Sequence, residues 1–378
     1  MKLTSATLVL ATGTVWLPAT SAWPHMKNQL NSLLERAPQA TGEQINTRMP
    51  GDLKNGATTA VGQSIQNILL KKESGISKAT YVPNILATPG SSLCKKDTCC
   101  IWYHISNAMT AYFTGLISFN GLPTMNCNDA SRAAIRLAFH DAGTWSVRLA
   151  AQGQDFGGAD GSIALAASEI GRTENNGLQS ITKQMIAWQK QYGVGMADLI
   201  QFGAAHAVVT CPLGPRMRVW VGRKDSTAAA PDGLLPDVRA SPDSLIDLFE
   251  DKTISPHELV ALLGAHGNSK QRFFDTTKAG APQDSSPGTW DTLFYNQTLD
   301  GTGSNVVRFP SDVALAQHPK CSDEWTAFRK KDAQSHWNED YAAANTRLSM
   351  LGVNNINQLV ECSKVLPPAK PLGIAIIT

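Results

Sequence analysis

From Cys94 onward the chain is patterned at helical spacing almost without interruption, which confines it to a mostly α fold. Apolar residues recur three and four apart in NDASRAAIRLAFH, LQSITKQMIAWQKQY, GMADLIQFGAAHAVVT, DSLIDLFED, SPHELVALLGAH and EDYAAANTRLSMLG. Strand-type alternation is scarce, with RMRVWVGR the best short candidate, and there is no internal repeat. Breakers in APDGLLPDVRASP (229–242) mark a boundary between two lobes.

Composition excludes several functions. Lys and Arg number 33 against 31 Asp and Glu, a net charge of +2, too balanced for a nucleic-acid binder. Only 17% of residues are charged, below the roughly 25% usual in soluble domains. After the N-terminus no apolar run reaches the length of a membrane span, so no membrane partner is expected, and PLGIAIIT is too short to be one.

The N-terminus reads Met1-Lys2, an apolar LVLATGTVWL and then small residues through Ala22, the pattern of a secretory signal peptide over 1–22. An extracellular location follows. Residues 23–93 are polar, with two short helix-like pieces, KNQLNSLLER and SIQNILLKK, and read as an extension or pro-segment. In an exported chain the seven cysteines, Cys94, Cys99, Cys100, Cys127, Cys211, Cys321 and Cys362, are bridge formers, and the odd number leaves one over. Asn296-Gln297-Thr298 is an N-glycosylation sequon suited to a surface loop.

Two segments carry candidate chemistry. In Arg136-Leu-Ala-Phe139-His140 the Arg and His lie four apart, on one helix face, and can enter one cavity. Asp141 lies about 100° further round and faces elsewhere. With Asp160, Ser162 and nearby carbonyls of the Gly157-Gly158-Ala-Asp160-Gly161-Ser162 turn, it could gather on a hard cation such as Ca²⁺. The second segment runs from Ser255 to His266; Ser255 caps it, Pro256 opens it, and Leu259, Leu262, Leu263 and His266 share a stripe. A histidine ending such a stripe is a good proximal haem ligand, or equally a satisfied core histidine. Asp284-Ser285-Ser286-Pro-Gly-Thr289-Trp-Asp291 is a second oxygen-rich loop.

RLAFHDAGTW, GGADGSI, ADLIQFGAA with TCPLGPR, LVALLGAH and the loop from Asp284 to Asp291 occur in one order with consistent spacing. Together they resemble the fungal secreted class II haem peroxidases (lignin, manganese and versatile peroxidases), and the ascomycete branch in particular. The resemblance covers about 94–368 and leaves 23–93 outside. It implies an all-α fold whose distal lobe (94–235) and proximal lobe (236–365) enclose haem b, ahead of a tail at 366–378, with His266 as the iron ligand and Asp312 accepting that imidazole's other N–H. On the open side it places His140 as base and then acid, Arg136 as the stabilising cation, and Phe139 beside them. Asn175 would accept the distal histidine's N–H, with Glu169 fixing the amide; Asn176 is adjacent, but spacing favours Asn175. His206 matches no family ligand and reads as structural.

By the same resemblance a distal Ca²⁺ would be held by Asp141, Gly158, Asp160 and Ser162. A proximal Ca²⁺ would be held by Asp284, Ser286, Thr289, Asp291 and the carbonyl of Gly267, where relatives carry Ser or Thr. Cys127–Cys211 and Cys321–Cys362 match family bridges, Cys94 would pair with Cys100, and Cys99 would be the free thiol. The manganese positions are occupied by Asp129, Ala133 and Arg272, and the relay tryptophan's by Ala261. Trp145, Trp290 and Trp325 are other relay candidates, not ranked. The implied activity is a monomeric, generic low-potential peroxidase using hydrogen peroxide to oxidise phenolic and other small aromatic donors. The competing class is a secreted haem- or calcium-binding protein without turnover, which would not need Arg136, His140 and Asn175 together. A zinc hydrolase is excluded because His140 and His266 sit on separate helices with no zinc-type pair nearby.

Overall fold

Side-chain caps fix where several helices begin. Asn128 accepts hydrogen bonds from the Ala130 and Ser131 amides and starts Asp129–Ala142. Ser255 and Glu258 form a reciprocal capping box, with Pro256 at the first helical position, and start Pro256–Leu263. A computed structural model describes residues 48–114 and 126–372. Its helices are α1 (Ala60–Leu69), α2 (Thr98–Thr114), α3 (Asp129–Ala142), α4 (Val147–Ala151), α5 (Ser162–Leu165), α6 (Ala167–Ile170), α7 (Gln179–Tyr192), α8 (Met196–Thr210), α9 (Pro242–Glu250), α10 (Pro256–Leu263), α11 (Leu293–Asp300), α12 (Pro310–Gln317), α13 (Ser322–Phe328) and α14 (Gln334–Leu348). Strand β1 (Trp220–Val221), inside the alternating RMRVWVGR, pairs antiparallel with β2 (Val360–Glu361).

Every residue of α8 is buried, and this helix lies against α3 and α2. One apolar core joins Leu137 and Phe202 on one side of the 229–242 breakers to Leu259 and Trp337 on the other. The end of α10 is seated on α14 by a close approach that only glycine permits. A Cβ on Gly264 would lie 2.4 Å from the Trp337 ring, while Trp337 Nε1 donates to the Ala261 carbonyl at 2.9 Å. His266 follows in a short 3₁₀ turn, Gly264–Asn268.

Three sequence expectations need correction. Residues 48–93 are not an appendage, because Leu53, Ile65 and Ile68 are at most 1% exposed and belong to the core. Asp52 accepts from the Ile356 and Asn357 amides, and buried Arg347 donates both to Glu258 (2.7 Å) and to the Leu69 carbonyl (3.4 Å). The apolar stripe of α1 is short and embedded in polar text, so its burial is visible only once its partners are placed. The proposed signal peptide, the KNQLNSLLER piece and residues 373–378 lie outside the described residues.

The second correction concerns cysteines. Cys94–Cys100 and Cys127–Cys211 are bridged, but Cys362 bonds to Cys99, not to Cys321. The Cys362 amide donates to the Val219 carbonyl, which puts β2 and its end beside the start of α2 and brings the Cys99 and Cys362 Cα atoms to 5.2 Å. Cys321, capping α13, is the free thiol, buried and pushed up to about 12 by that burial. Third, Asn296 lies on α11 rather than on a surface loop; its amide is half-buried and held by Arg329 (3.2 Å), and Thr298 is buried.

Candidate active site

Helix α3 presents Arg136 and His140 one turn apart. The His140 ring is buried, and its Nδ1 lies 2.8 Å from Asn175 Oδ1. Asn175 Nδ2 donates to the Glu169 carbonyl at 2.8 Å, so the amide oxygen must face the histidine. Nδ1 therefore carries the proton, and Nε2 keeps its lone pair with no partner among the described residues. Glu169 fixes the amide through its backbone carbonyl; its carboxylate accepts instead from the Ala230 amide. Burial, with the Arg136 charge close by, pushes His140 down to about 3 against the opposing hydrogen bond from Asn175. The imidazole is neutral at any ordinary pH. Arg136 donates to the carbonyls of Asn176 (2.8 Å) and Glu174 (2.7 Å), and burial lowers it only to about 10, so it stays cationic. Phe139 stacks on Phe249, with ring centroids 6.0 Å apart.

His266 mirrors this arrangement with an anionic partner. Its Nδ1 donates to Asp312 Oδ2 at 3.0 Å, and the rings of Phe294 and Phe309 pack edge-on at 5.8 and 5.7 Å. A carboxylate only accepts, so Nδ1 carries a proton and Nε2 is the nitrogen left to meet a ligand. Asp312 also accepts from Gln283 Nε2 (3.3 Å), whose own Oε1 accepts from Ser269. Sequence reading missed Gln283; its only signal is that it immediately precedes the oxygen-rich loop starting at Asp284. It also missed the carbonyls that hold Arg136, since Asn176 enters through its backbone and not its side chain.

These residues fit haem on their own chemistry. One imidazole with a carboxylate behind it has Nε2 free for an iron ion. A second imidazole, neutral, and the Arg136 cation share one helix face.

Comparison with known proteins decides the matter. A family profile described as peroxidase matches residues 121–331. Ligninase C of Trametes versicolor is 35% identical over 65% of this chain and 72% of its own length. A peroxidase of Arthromyces ramosus is 30% identical over 74% of this chain and 79% of its own. Manganese peroxidase 3 of Phlebia radiata is 34% identical over 64% and 72%. The chain belongs to the fungal class II haem peroxidases. It is a haem enzyme of the all-α peroxidase fold.

In this peroxidase two acidic pockets adjoin the histidine segments, and both contain buried oxygens without partners among the described residues. Asp141 Oδ2 accepts from the Gly161 amide at 3.2 Å, while its Oδ1, Ser162 Oγ and Glu169 Oε1 have no hydrogen-bond partner there. Asp160 accepts from the Ser162 amide at 2.9 Å. Burial first, then the charges of Asp160 and Glu169, raises the Asp141 carboxyl well above the usual carboxylate range. At Gly158 a Cβ would lie 2.3 Å from the Leu351 carbonyl, so only glycine fits there. In the second pocket Asp284 Oδ1 accepts from the Ser286 amide (2.8 Å), Ser286 Oγ donates to Asp291 (2.9 Å), and Asp284 Oδ2 is likewise unpartnered. The Thr289 carbonyl accepts from Asn268 at 2.9 Å. Burial, then Asp291, pushes Asp284 up to about 8. A Cβ on Gly267 would lie 2.8 Å from Asp284 Oδ2. Unpartnered buried oxygens of this kind could take a hard cation.

Asp129, exposed at the start of α3, is surrounded by Arg132, Lys270 (3.9 Å) and Arg272 (3.7 Å). Ala133 is partly buried and Ala261 wholly so. Trp145 is committed to Asp155 (2.8 Å) and Trp325 to the Tyr295 carbonyl (3.0 Å), while Trp290 stacks on Trp337 at 4.9 Å; all three are buried. His206 is fully buried between Thr110 (3.1 Å) and Thr210 (3.3 Å). At the rim, a methyl on Gly177 would meet both Phe273 (3.1 Å) and Arg136 Nη1 (3.7 Å), and Phe273 is 58% exposed.

Proposed function

We propose that this peroxidase is exported, works as a monomer, and oxidises phenolic and similar small aromatic donors in two one-electron steps. It is of a generic low-potential kind, with neither a manganese site nor a surface tryptophan relay. The observation that carries the reading is the surrounding of Asp129. Its carboxylate, the one acid at the three manganese positions, is neutralised by Arg132, Lys270 and Arg272, and added cation charge repels Mn²⁺. Ala261, buried and without an aromatic ring, supports the second half. Exposed Phe273, beside Gly177 and Arg136, supplies an aromatic face for a donor at the rim. Three disulfides suit export.

Haem, when bound, supplies the two electrons that cleave the peroxide O–O bond. His140 Nε2 takes a proton from the bound peroxide and returns it to the departing oxygen, which leaves as water. Arg136 stabilises the negative charge that develops as the bond breaks. Asn175 holds the basic nitrogen of His140 toward the substrate, and Phe139 packs beside it. His266 would hold the haem iron, made a stronger donor by Asp312. One Ca²⁺ on Asp141, Gly158, Asp160 and Ser162, and another on Asp284, Ser286, Thr289, Asp291 and the Gly267 carbonyl, would hold the two histidine segments in place.

The test is a donor comparison on the holoenzyme. Turnover with a phenolic dye and no saturable oxidation of Mn²⁺ is expected, and Phe273→Ala should raise KM for the phenol several-fold while leaving the peroxide step alone. Saturable Mn²⁺ oxidation would overturn the assignment.

A further inference from the structure

Away from the two catalytic histidines, a second pair of histidines meets two carboxylates where three helices converge. His257 stands in the first turn of α10, Glu324 on α13, and His336 and Asp340 one turn apart on α14. Their ligand atoms are close in every contact the structure gives. His257 Nε2 lies 3.0 Å from Glu324 Oε1 and 3.4 Å from Asp340 Oδ2; His336 Nε2 lies 3.0 Å from Asp340 Oδ2 and 3.7 Å from Glu324 Oε1. The ligand atoms of His257, Glu324 and Asp340 all fall within 4.8 Å of one another.

We propose that His257, His336, Glu324 and Asp340 form a binding site for a divalent transition-metal ion of the zinc class, which pins α10, α13 and α14 together.

The distances carry the geometry. Zinc bonds of about 2.0–2.1 Å to nitrogen and oxygen place tetrahedral ligands about 3.3–3.4 Å apart, and the four imidazole–carboxylate contacts straddle that value; His336 stands outside the close triad of His257, Glu324 and Asp340, and its exposed side chain completes the set by turning inward. Glu324 Oε1 is buried and, although 3.0 Å from an imidazole nitrogen, makes no hydrogen bond among the described residues. An oxygen so placed has accepting capacity left for a cation. Two imidazoles exclude the all-oxygen preference of Ca²⁺ and Mg²⁺. The surroundings suit a ligand set as well. Lys71 Nζ holds Asp340 Oδ1 at 3.1 Å and leaves Oδ2 for the metal, and Phe328 packs edge-on at 5.1 Å against the His336 ring. His336, half exposed, opens a path from solvent. His257 opens α10 and His266 sits in the 3₁₀ turn that continues it, so the ion would anchor the start of the segment that ends in the haem ligand. The other close group, Cys94, Cys100 and His104, has both sulfurs consumed by a disulfide.

The competing account is a network of protonated histidines on carboxylates with no metal affinity. Holoenzyme stripped of transition metals, in excess Ca²⁺ to keep oxygen sites filled, is titrated with Zn²⁺ against a chromophoric chelator and followed by thermal unfolding. One tightly held Zn²⁺ per chain and a raised Tm are expected. His336→Ala, at an exposed position, should weaken that binding at least about tenfold and abolish the Tm gain, with an unchanged Soret band and unchanged turnover. Glu324→Gln should also weaken it. No zinc uptake by the parent, uptake undiminished in His336→Ala, or binding of Cu²⁺ but not Zn²⁺ would overturn the proposal.

Discussion

The two histidine segments solve the same problem with opposite partners. At His140 and at His266 alike, Nδ1 donates a hydrogen bond to a neighbour and Nε2 is left without one. The distal acceptor is the neutral amide of Asn175, and His140 is buried; the proximal acceptor is the carboxylate of Asp312, and the His266 side chain is partly exposed. A neutral partner fixes the tautomer without drawing a second proton onto the ring, which is what a base requires. An anionic partner pushes electron density toward Nε2, which would suit a ligand to iron. Each acceptor is itself tied to an acidic pocket: Asn175 through Glu169, whose carboxylate faces Asp141, and Asp312 through Gln283, the neighbour of Asp284.

Variants can break the comparison one side at a time. The largest effect is expected on the distal side. His140→Ala should retain haem but lose about a hundred- to ten-thousandfold in the rate of reaction with peroxide, followed by stopped flow; a near-parental rate would remove the residue from its role. On the proximal side Asp312→Asn should slow the same reaction by roughly ten- to a hundredfold and raise the iron reduction potential, read by spectroelectrochemistry. An unchanged potential would show that the carboxylate does not tune the ligand.

Stripping calcium with a chelator should reach both sides more weakly, as a Tm lower by about 5–10 °C. The sign of its pH dependence follows from Asp284, raised to about 8 from an ordinary 3.8. A carboxyl whose folded pKa is raised is tolerated while protonated and loses stability as pH rises through that window. The calcium-free protein should therefore be weaker at pH 8 than at pH 5, a difference that calcium abolishes. An equal Tm with and without chelator would remove both ions from the account.

What the sequence revealed divides along the same line between local and distant. Arg136 with His140, and Ser255 with Glu258, are set by spacing within one helix, so periodicity and capping rules expose them. The brief strand at Trp220 was legible as alternation. The Cys99–Cys362 bridge was not, because it depends on where β1 carries the end of the chain relative to α2. Neither was the burial of Ile65 and Ile68, whose partners lie far along the chain. Gln283 and the carbonyl of Asn176 were missed for a related reason, since a backbone oxygen or a lone amide carries no motif.

The most direct measurement is the pH profile of the peroxide reaction. Burial holds His140 near 3, well below its ordinary 6.5, so the unfolded chain binds a proton between these values that the native ring refuses. Stability should fall as pH drops below about 6.5, while the rate constant per folded molecule stays flat to about pH 4 and declines only toward 3. A titration of that rate constant with a midpoint near 6.5 would mean a solvated, chargeable imidazole, and would contradict the neutral base held by Asn175.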